Sequence, residues 1–156
     1  MRSHLAALTL LAFPIAASAA DYLTEIISDV HQAPGMTTEQ IVARGLQCIK
    51  SSSHNASESV EPAVDGDVAY GIVRLEYSHR LVQNIIRVRA SVAAKEGRFK
   101  VAHTDIERYN ELARGYIGVH TGFGSGSDKV REVLVDHAAR IADCIVKARE
   151  VAAGDW

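Results

Sequence analysis

The 156 residues fit one domain, with enough chain to bury a core without a framework of several disulfides. A hydrophobic content of 47% against 23% charged is that of an ordinary soluble globule and argues against a disordered chain. A formal net charge of -2 gives no basic excess to favour nucleic acid, and no acidic run reads as a solvating tail.

Residues 1–19, MRSHLAALTLLAFPIAASA, have a short basic start, an apolar middle over 5–15 and the small residues Ala17, Ser18 and Ala19 before a polar chain. This is the three-part pattern of a secretory signal peptide, and it predicts cleavage near Ala19 and a periplasmic or secreted domain over 20–156. The apolar run is shorter than the roughly 20 residues that span a bilayer, and no later segment is long and apolar enough to do so. In an exported, oxidising setting the two cysteines, Cys48 and Cys144, are expected to pair.

Residues 22–30 are ambiguous. Leu23, Ile26, Ile27 and Val30 follow helical spacing, Tyr22, Thr24, Ile26, Ser28 and Val30 follow strand alternation, and local pattern leans to helix. Ala33-Pro34-Gly35 breaks either element. A helix then starts at Thr37, which forms a capping-box pair with Gln40 while Met36 staples onto Ile41. Its apolar stripe is Ile41, Val42, Leu46 and Ile49, with Cys48 at the edge and an end by Lys50. Residues 51–59 read as a polar loop, in which Asn55-Ala56-Ser57 matches a glycan acceptor by chance or by use.

Residues 60–64 form a short strand that Pro62 confines to an edge or bulge. Asp65-Gly66 is a strong hairpin signal leading into a strand over 68–77, and the link Ser78-His79-Arg80 turns the chain into the next. There Val82, Ile86, Val88, Ala90 and Val92 share one face and Gln83, Arg87, Arg89 and Ser91 the other, the pattern of a strand covered on one side. After Glu96-Gly97 the alternation resumes, with Phe99, Val101 and His103 against Arg98 and Lys100. Thr104 and Glu107 match a second capping box, predicting a short helix over 105–114 with Gly115 as its stop. Residues 117–127 read as a Gly/Ser-rich loop, and Ser127 and Asp128 open a last helix. Its stripe is Val130, Val133, Leu134, Ala138, Ile141, Ile145 and Ala148, with Cys144 one step away. Both helices packed on one sheet face would bring Cys48 to Cys144.

The segments GMTTEQIVARGLQCI, DGDVAYGIVRLEY and AAKEGRFKV resemble an uncharacterised bacterial family of secreted domains of unknown function with a TBP-like fold. The best local match is Lys95-Glu96-Gly97-Arg98-Phe99-Lys100, and the resemblance covers roughly residues 25–109. It implies an α+β fold of order β-α-β-β-β-β-α, an antiparallel sheet of four to five strands with two helices on one face, and hence a strand rather than a helix over 24–30. Gln47-Cys48 stands where the family pattern often has tryptophan. The family has no established activity, so the resemblance assigns no functional residue, and its name carries no inference of DNA binding.

The chemistry of the chain is sparse. The loop Gly122-Phe123-Gly124-Ser125-Gly126 fails the dinucleotide spacing and lacks the P-loop lysine, and neither of its serines is flanked as in a nucleophile elbow. No histidines stand at zinc-helix spacing, although His103, His120 and His137 could converge near the helix–sheet junction. The carboxylate pairs Asp65/Asp67 and Asp105/Glu107 read as turn and helix-start residues. No cofactor is implied.

The sheet face opposite the helices is the most informative surface. Arg74 and Glu76, Arg87 and Arg89, and Arg98 and Lys100 project there from three strands, with Tyr70 and Ile72 farther along, giving five cations against one acid. Such a face either uses its charge to stay soluble or recognises an acidic envelope protein or an anionic envelope polymer. The leading expectation is therefore an exported, non-catalytic interaction domain with Tyr70, Arg74, Arg87, Arg89, Arg98 and Lys100 as its binding residues. The alternative is a small metal-assisted hydrolase using histidines near the 117–127 loop.

Overall fold

The structure, a computed structural model, describes residues 21–53 and 63–153, with side chains as far as Lys147. The leader at 1–19, His54, the Asn55 triplet, Val60, Pro62 and the side chain of Ala148 lie outside the described residues.

Among the described residues nine elements follow one another: β1 (Glu25–Ile27), β2 (His31–Gln32), α1 (Thr38–Ser52), β3 (Ala63–Asp65), β4 (Val68–His79), β5 (Val82–Lys95), β6 (Arg98–Asn110), β7 (Gly115–Gly118) and α2 (Ser127–Ala153). All pairings are antiparallel, and the sheet order is β1-β6-β5-β4-β3. β2 and β7 also pair with β6, so β2, β1 and β7 succeed one another along a single edge of that long strand. The seven strands thus make a sheet five strands wide, the width and α+β class expected from the sequence.

Residues 22–30 are extended. β6 offers an edge whose backbone groups must be satisfied, and β1 and β2 take it. The helical stripe read there is not buried as a unit, since Leu23 and Ile26 enter the core while Ile27 and Val30 stay exposed.

α1 starts as its sequence dictates. Thr37 Oγ1 accepts from the Gln40 backbone N–H, and Gln40 Oε1 accepts from that of Thr37. Ile41, Val42, Cys48 and Ile49 are buried, and Met36 is buried beside the first turn. α1 lies over β4 and β5, α2 over β6 and β1, and the helices touch each other. The covered face is the alternating set Val73, Leu75, Ile86, Val88, Ala90, Val92, Phe99 and Val101, closed from above by Val130, Leu134, Ile141 and Ile145. Each fully buried aliphatic side chain contributes about 1.5–3 kcal/mol. Cys48 and Cys144 are bonded across the helix pair with their Cα atoms 6.0 Å apart.

Two readings of the sequence are corrected, besides the ends of two elements: α1 runs on to Ser52 rather than ending by Lys50, and β4 runs to His79, so that its hairpin turns through Arg80 and Leu81 rather than through Ser78-His79-Arg80. Residues 105–114 are not a helix: β6 runs on to Asn110, and a turn over 111–114 leads into β7, which also takes Ile117 and Gly118 from the expected loop. The cause is a β-bulge. Between the pairs Arg87/Glu107 and Arg89/Thr104, Val88 alone faces Asp105 and Ile106, and Asp105 has φ 51°. The extra residue shifts the alternation by one, so Ile106 points into the core, and the apparent capping-box pair Thr104 and Glu107 are the residues on either side of the bulge. Val82 is the second correction, for it is 60% exposed on the last rung of the β4–β5 hairpin, opposite His79.

Candidate binding face on the open side of the sheet

No described helix lies on the second face of the sheet, whose side chains alternate with the core set. On β4 these are Tyr70, Ile72, Arg74 and Glu76, and on β5 Arg87, Arg89 and Ser91. Register sets them in rows: Ile72 opposite Arg89, Arg74 opposite Arg87, and Arg87 opposite Glu107. Two arginines face each other directly, an arrangement that repels unless something intervenes.

What intervenes is Tyr116 from β7. The Arg87 guanidinium carbon lies 4.2 Å from the centre of its ring, and Arg74 Nε donates to its hydroxyl at 2.7 Å. Arg87 also donates from Nε and Nη2 to Glu107 Oε2, at 2.9 and 2.6 Å. Arg89 is held likewise, its Nε 3.1 Å from Asp105 Oδ2 and its guanidinium 5.5 Å from the Tyr70 ring centre. The bulge that interrupts the regular pairing is also what presents Asp105.

A depression of about 540 Å³ opens over this bulge, walled by Arg87, Arg89, Asp105, Glu107, Ile72 and Tyr22. Tyr22 reaches it because Gly118 has no side chain: a Cβ there would come within 2.7 Å of Tyr22 Cδ1. His120 packs against the Tyr22 ring, with centroids 4.3 Å apart. Ile72 and Tyr22 form the apolar part of its wall and Arg87, Arg89, Asp105 and Glu107 the charged part, while the side chains of Val88 and Ile106 beneath it are turned into the core.

Of the six residues singled out in the sequence, Tyr70, Arg74, Arg87 and Arg89 come together here. Arg98 and Lys100 lie at the other end of the face, beside a second hollow of about 330 Å³ lined also by Val30, Asp67 and Lys95. The expected stripe is therefore divided. Its balance changes too, because Asp105 and Glu107 stand among the arginines as cross-strand partners rather than helix-start residues. Glu107 and Asp105 escape a reading in which 105–114 is helix, and Tyr116 and Tyr22 escape it because their places are set by pairings with Tyr109 and His120. The signal for them is the outward series Glu107 and Tyr109 on β6, answered by Tyr116 across a turn in which Asn110 Oδ1 accepts from the Ala113 N–H.

The histidines behave differently. His103 and His137 are both fully buried, and His103 Nε2 meets His137 Nδ1 at 2.8 Å, joining β6 to α2. Burial lowers the His103 pKa from 6.5 to about 4; burial, then the charges of His103 and Arg140, lower that of His137 to about 3. His120 sits apart on Tyr22, so the three-histidine cluster is not assembled. Among the described residues no group of three or more histidine, cysteine, aspartate or glutamate side chains is placed to hold a metal ion.

No protein-family model and no curated protein matches the chain. Among solved structures it is similar to a DUF4468 family protein from Bacteroides ovatus, with a TM-score of 0.57 and 16% identity over 78% of this chain and 85% of that one. A TBP-like protein from Parabacteroides distasonis aligns with a TM-score of 0.49 and 13% identity, over 84% of this chain and 89% of that one. The likeness to the first shows a shared fold, that of a domain of unknown function.

Proposed function

We propose that this chain is an exported, non-catalytic binding domain whose open sheet face engages an acidic envelope protein. One observation carries the reading: the guanidinium groups of Arg74, Arg87 and Arg89 are held against tyrosine rings, with Arg87 and Arg89 walling the depression over the bulge, on a face that the described helices leave bare. Arginine and tyrosine held rigid lose little side-chain entropy on binding, and they dominate the energetics of interfaces. The carboxylates of Asp105 and Glu107 keep the guanidinium planes oriented while leaving further N–H donors for an incoming acid. Export is supported by the leader pattern of residues 1–19 and by the Cys48–Cys144 bond, which suits an oxidising compartment. No helix among the described residues is long and apolar enough to cross a membrane.

The test is affinity capture from an envelope fraction, comparing wild type with Arg87→Glu/Arg89→Glu after circular dichroism has shown that both are folded. The variant is expected to lose the captured protein. A partner retained equally by both removes the face from consideration, and retention of an anionic polymer instead of a protein reassigns its occupant.

A further inference from the structure

At one end of the sheet three separate turns each raise a bulky apolar side chain into solvent. The β4–β5 hairpin turns through Arg80 and Leu81, and Leu81 is 104% exposed. The turn from β6 to β7 presents Leu112 at 98%, and the loop before α2 presents Phe123 at 111%. These turns share one end of the molecule. β6 runs antiparallel to β5 with Arg108 opposite Ile86, so its C-terminal turn lies beside the β4–β5 hairpin. The Phe123 loop is tied to the same end: Arg108 Nη1 donates to the Ser125 carbonyl at 3.1 Å, and a Cβ on Gly126 would lie 3.7 Å from the His79 ring.

All three apexes are built by defined backbone geometry. Arg80 and Leu81 have φ 51° and 64°, the left-handed pair of a two-residue hairpin, where asparagine and glycine are the favoured residues. A leucine there meets steric cost and recovers nothing by burial within the chain. Arg114 has φ 49° at the close of the second turn. In the third, Ser125 N–H donates to the Gly122 carbonyl at 3.1 Å and Gly124 has φ 76°, a type II turn with Phe123 at its first corner.

We infer that this end of the molecule is a membrane-surface contact at which Leu81, Leu112 and Phe123 enter the interfacial region of a phospholipid bilayer. Three isolated knobs on separate turns form no continuous patch for a flat protein partner, whereas a fluid interface receives each independently. Arg80, Glu111 and Arg114 belong to the turns themselves and Asp128 and Arg131 to the start of α2 just after the Phe123 loop, while Lys129 is paired with Glu132 at 2.7 Å. The excess of cations is small, so the apolar side chains supply most of the affinity, each about tenfold or more on full burial, and anionic headgroups supply a lesser part.

The experiment is co-sedimentation of the protein, expressed from its full sequence, with vesicles of phosphatidylcholine and of mixed phosphatidylglycerol and phosphatidylethanolamine. Wild type is expected to bind both, a few-fold more tightly to the anionic vesicles. Leu81→Asn/Leu112→Ser/Phe123→Ser should weaken binding to both at least tenfold, and Phe123→Ser alone, which removes a side chain wholly outside the core, should weaken it several-fold. Arg80→Glu/Arg114→Glu should abolish the anionic preference and leave phosphatidylcholine binding intact. Wild type that stays in solution overturns the inference. So does a triple variant that sediments as wild type does, the result expected if residues 1–20, common to both proteins, do the binding. Self-association without lipid that the triple variant abolishes would also overturn it, assigning the knobs to a second copy.

Discussion

His103 and His137 cannot both be protonated where they stand, because one ring must offer a lone pair to the other's N–H across 2.8 Å. The folded chain accepts protons there only near pH 4 and 3, whereas unfolded histidine does so near 6.5. As pH falls through that window the unfolded state binds protons that the native state does not. Stability present in full above about pH 6.5 is thus lost progressively toward pH 3–4, by an amount on the order of several kcal/mol. The urea midpoint should fall steeply between pH 7 and pH 4.5, and His103→Leu/His137→Leu should flatten that dependence; an unchanged slope would refute the assignment. Tyr116 is the other residue whose removal is diagnostic. Tyr116→Ala leaves Arg74 and Arg87 opposed across the β4–β5 pair without the intervening ring, and should cost about 1–2 kcal/mol by denaturant titration. Alternation along β5 identifies Arg87 as outward-facing, but not the ring that covers it, which reaches over from a strand that the sequence pattern hides.

Elements with a local signature are legible in the amino-acid sequence. α1 declares its start through Thr37 and Gln40, and β5 declares both its faces by alternation. The elements that are not legible depend on partners distant in sequence: β1 and β2 are extended because β6 needs an edge partner, and β6 outruns its apparent capping box because one bulge residue displaces the alternation. Close packing of α1 on the sheet gives a prediction of its own. A Cβ at Gly45 would meet Val92 Cβ, Cγ1 and Cγ2 at 3.0, 3.1 and 3.2 Å, and Val92 is fully buried and branched at that carbon, so no rotation clears all three. Gly45→Ala should gain about 1 kcal/mol of helix propensity and lose about 1–3 kcal/mol to overpacking, for a net fall in thermal midpoint. A rise would mean that α1 can lift. The bond between α1 and α2 joins residues 96 apart, and the chain-entropy model puts the loss on Cys48→Ala/Cys144→Ala at about 4–5 kcal/mol, an upper figure. Quantitative thiol labelling of the unfolded, unreduced wild-type chain would contradict the bond itself.

At the scale of the whole molecule, the two helices and their disulfide occupy one face of the sheet and leave the other to the tyrosine-held arginines over the bulge. The α+β class, the sheet width and the identity of the bare face follow from alternation and from the family resemblance. The division of the basic stripe comes from the β5–β6 hairpin register, which sets Arg98 opposite Lys95 and Lys100 opposite Ala93, at the far end of β5 from Arg87 and Arg89; Asp105 and Glu107 are hidden by the register shift within β6, and Tyr116 by the pairing of β7 with β6. The central claim is that recognition takes place on this face rather than on the helices. Site-specific photo-crosslinking in cells tests it most directly, with benzoylphenylalanine placed at Tyr70 on the open face and, separately, at Val135 on the exposed side of α2. The expected result is a discrete protein adduct from position 70 and none from 135. An adduct from 135 alone, or equal adducts from both, would contradict it.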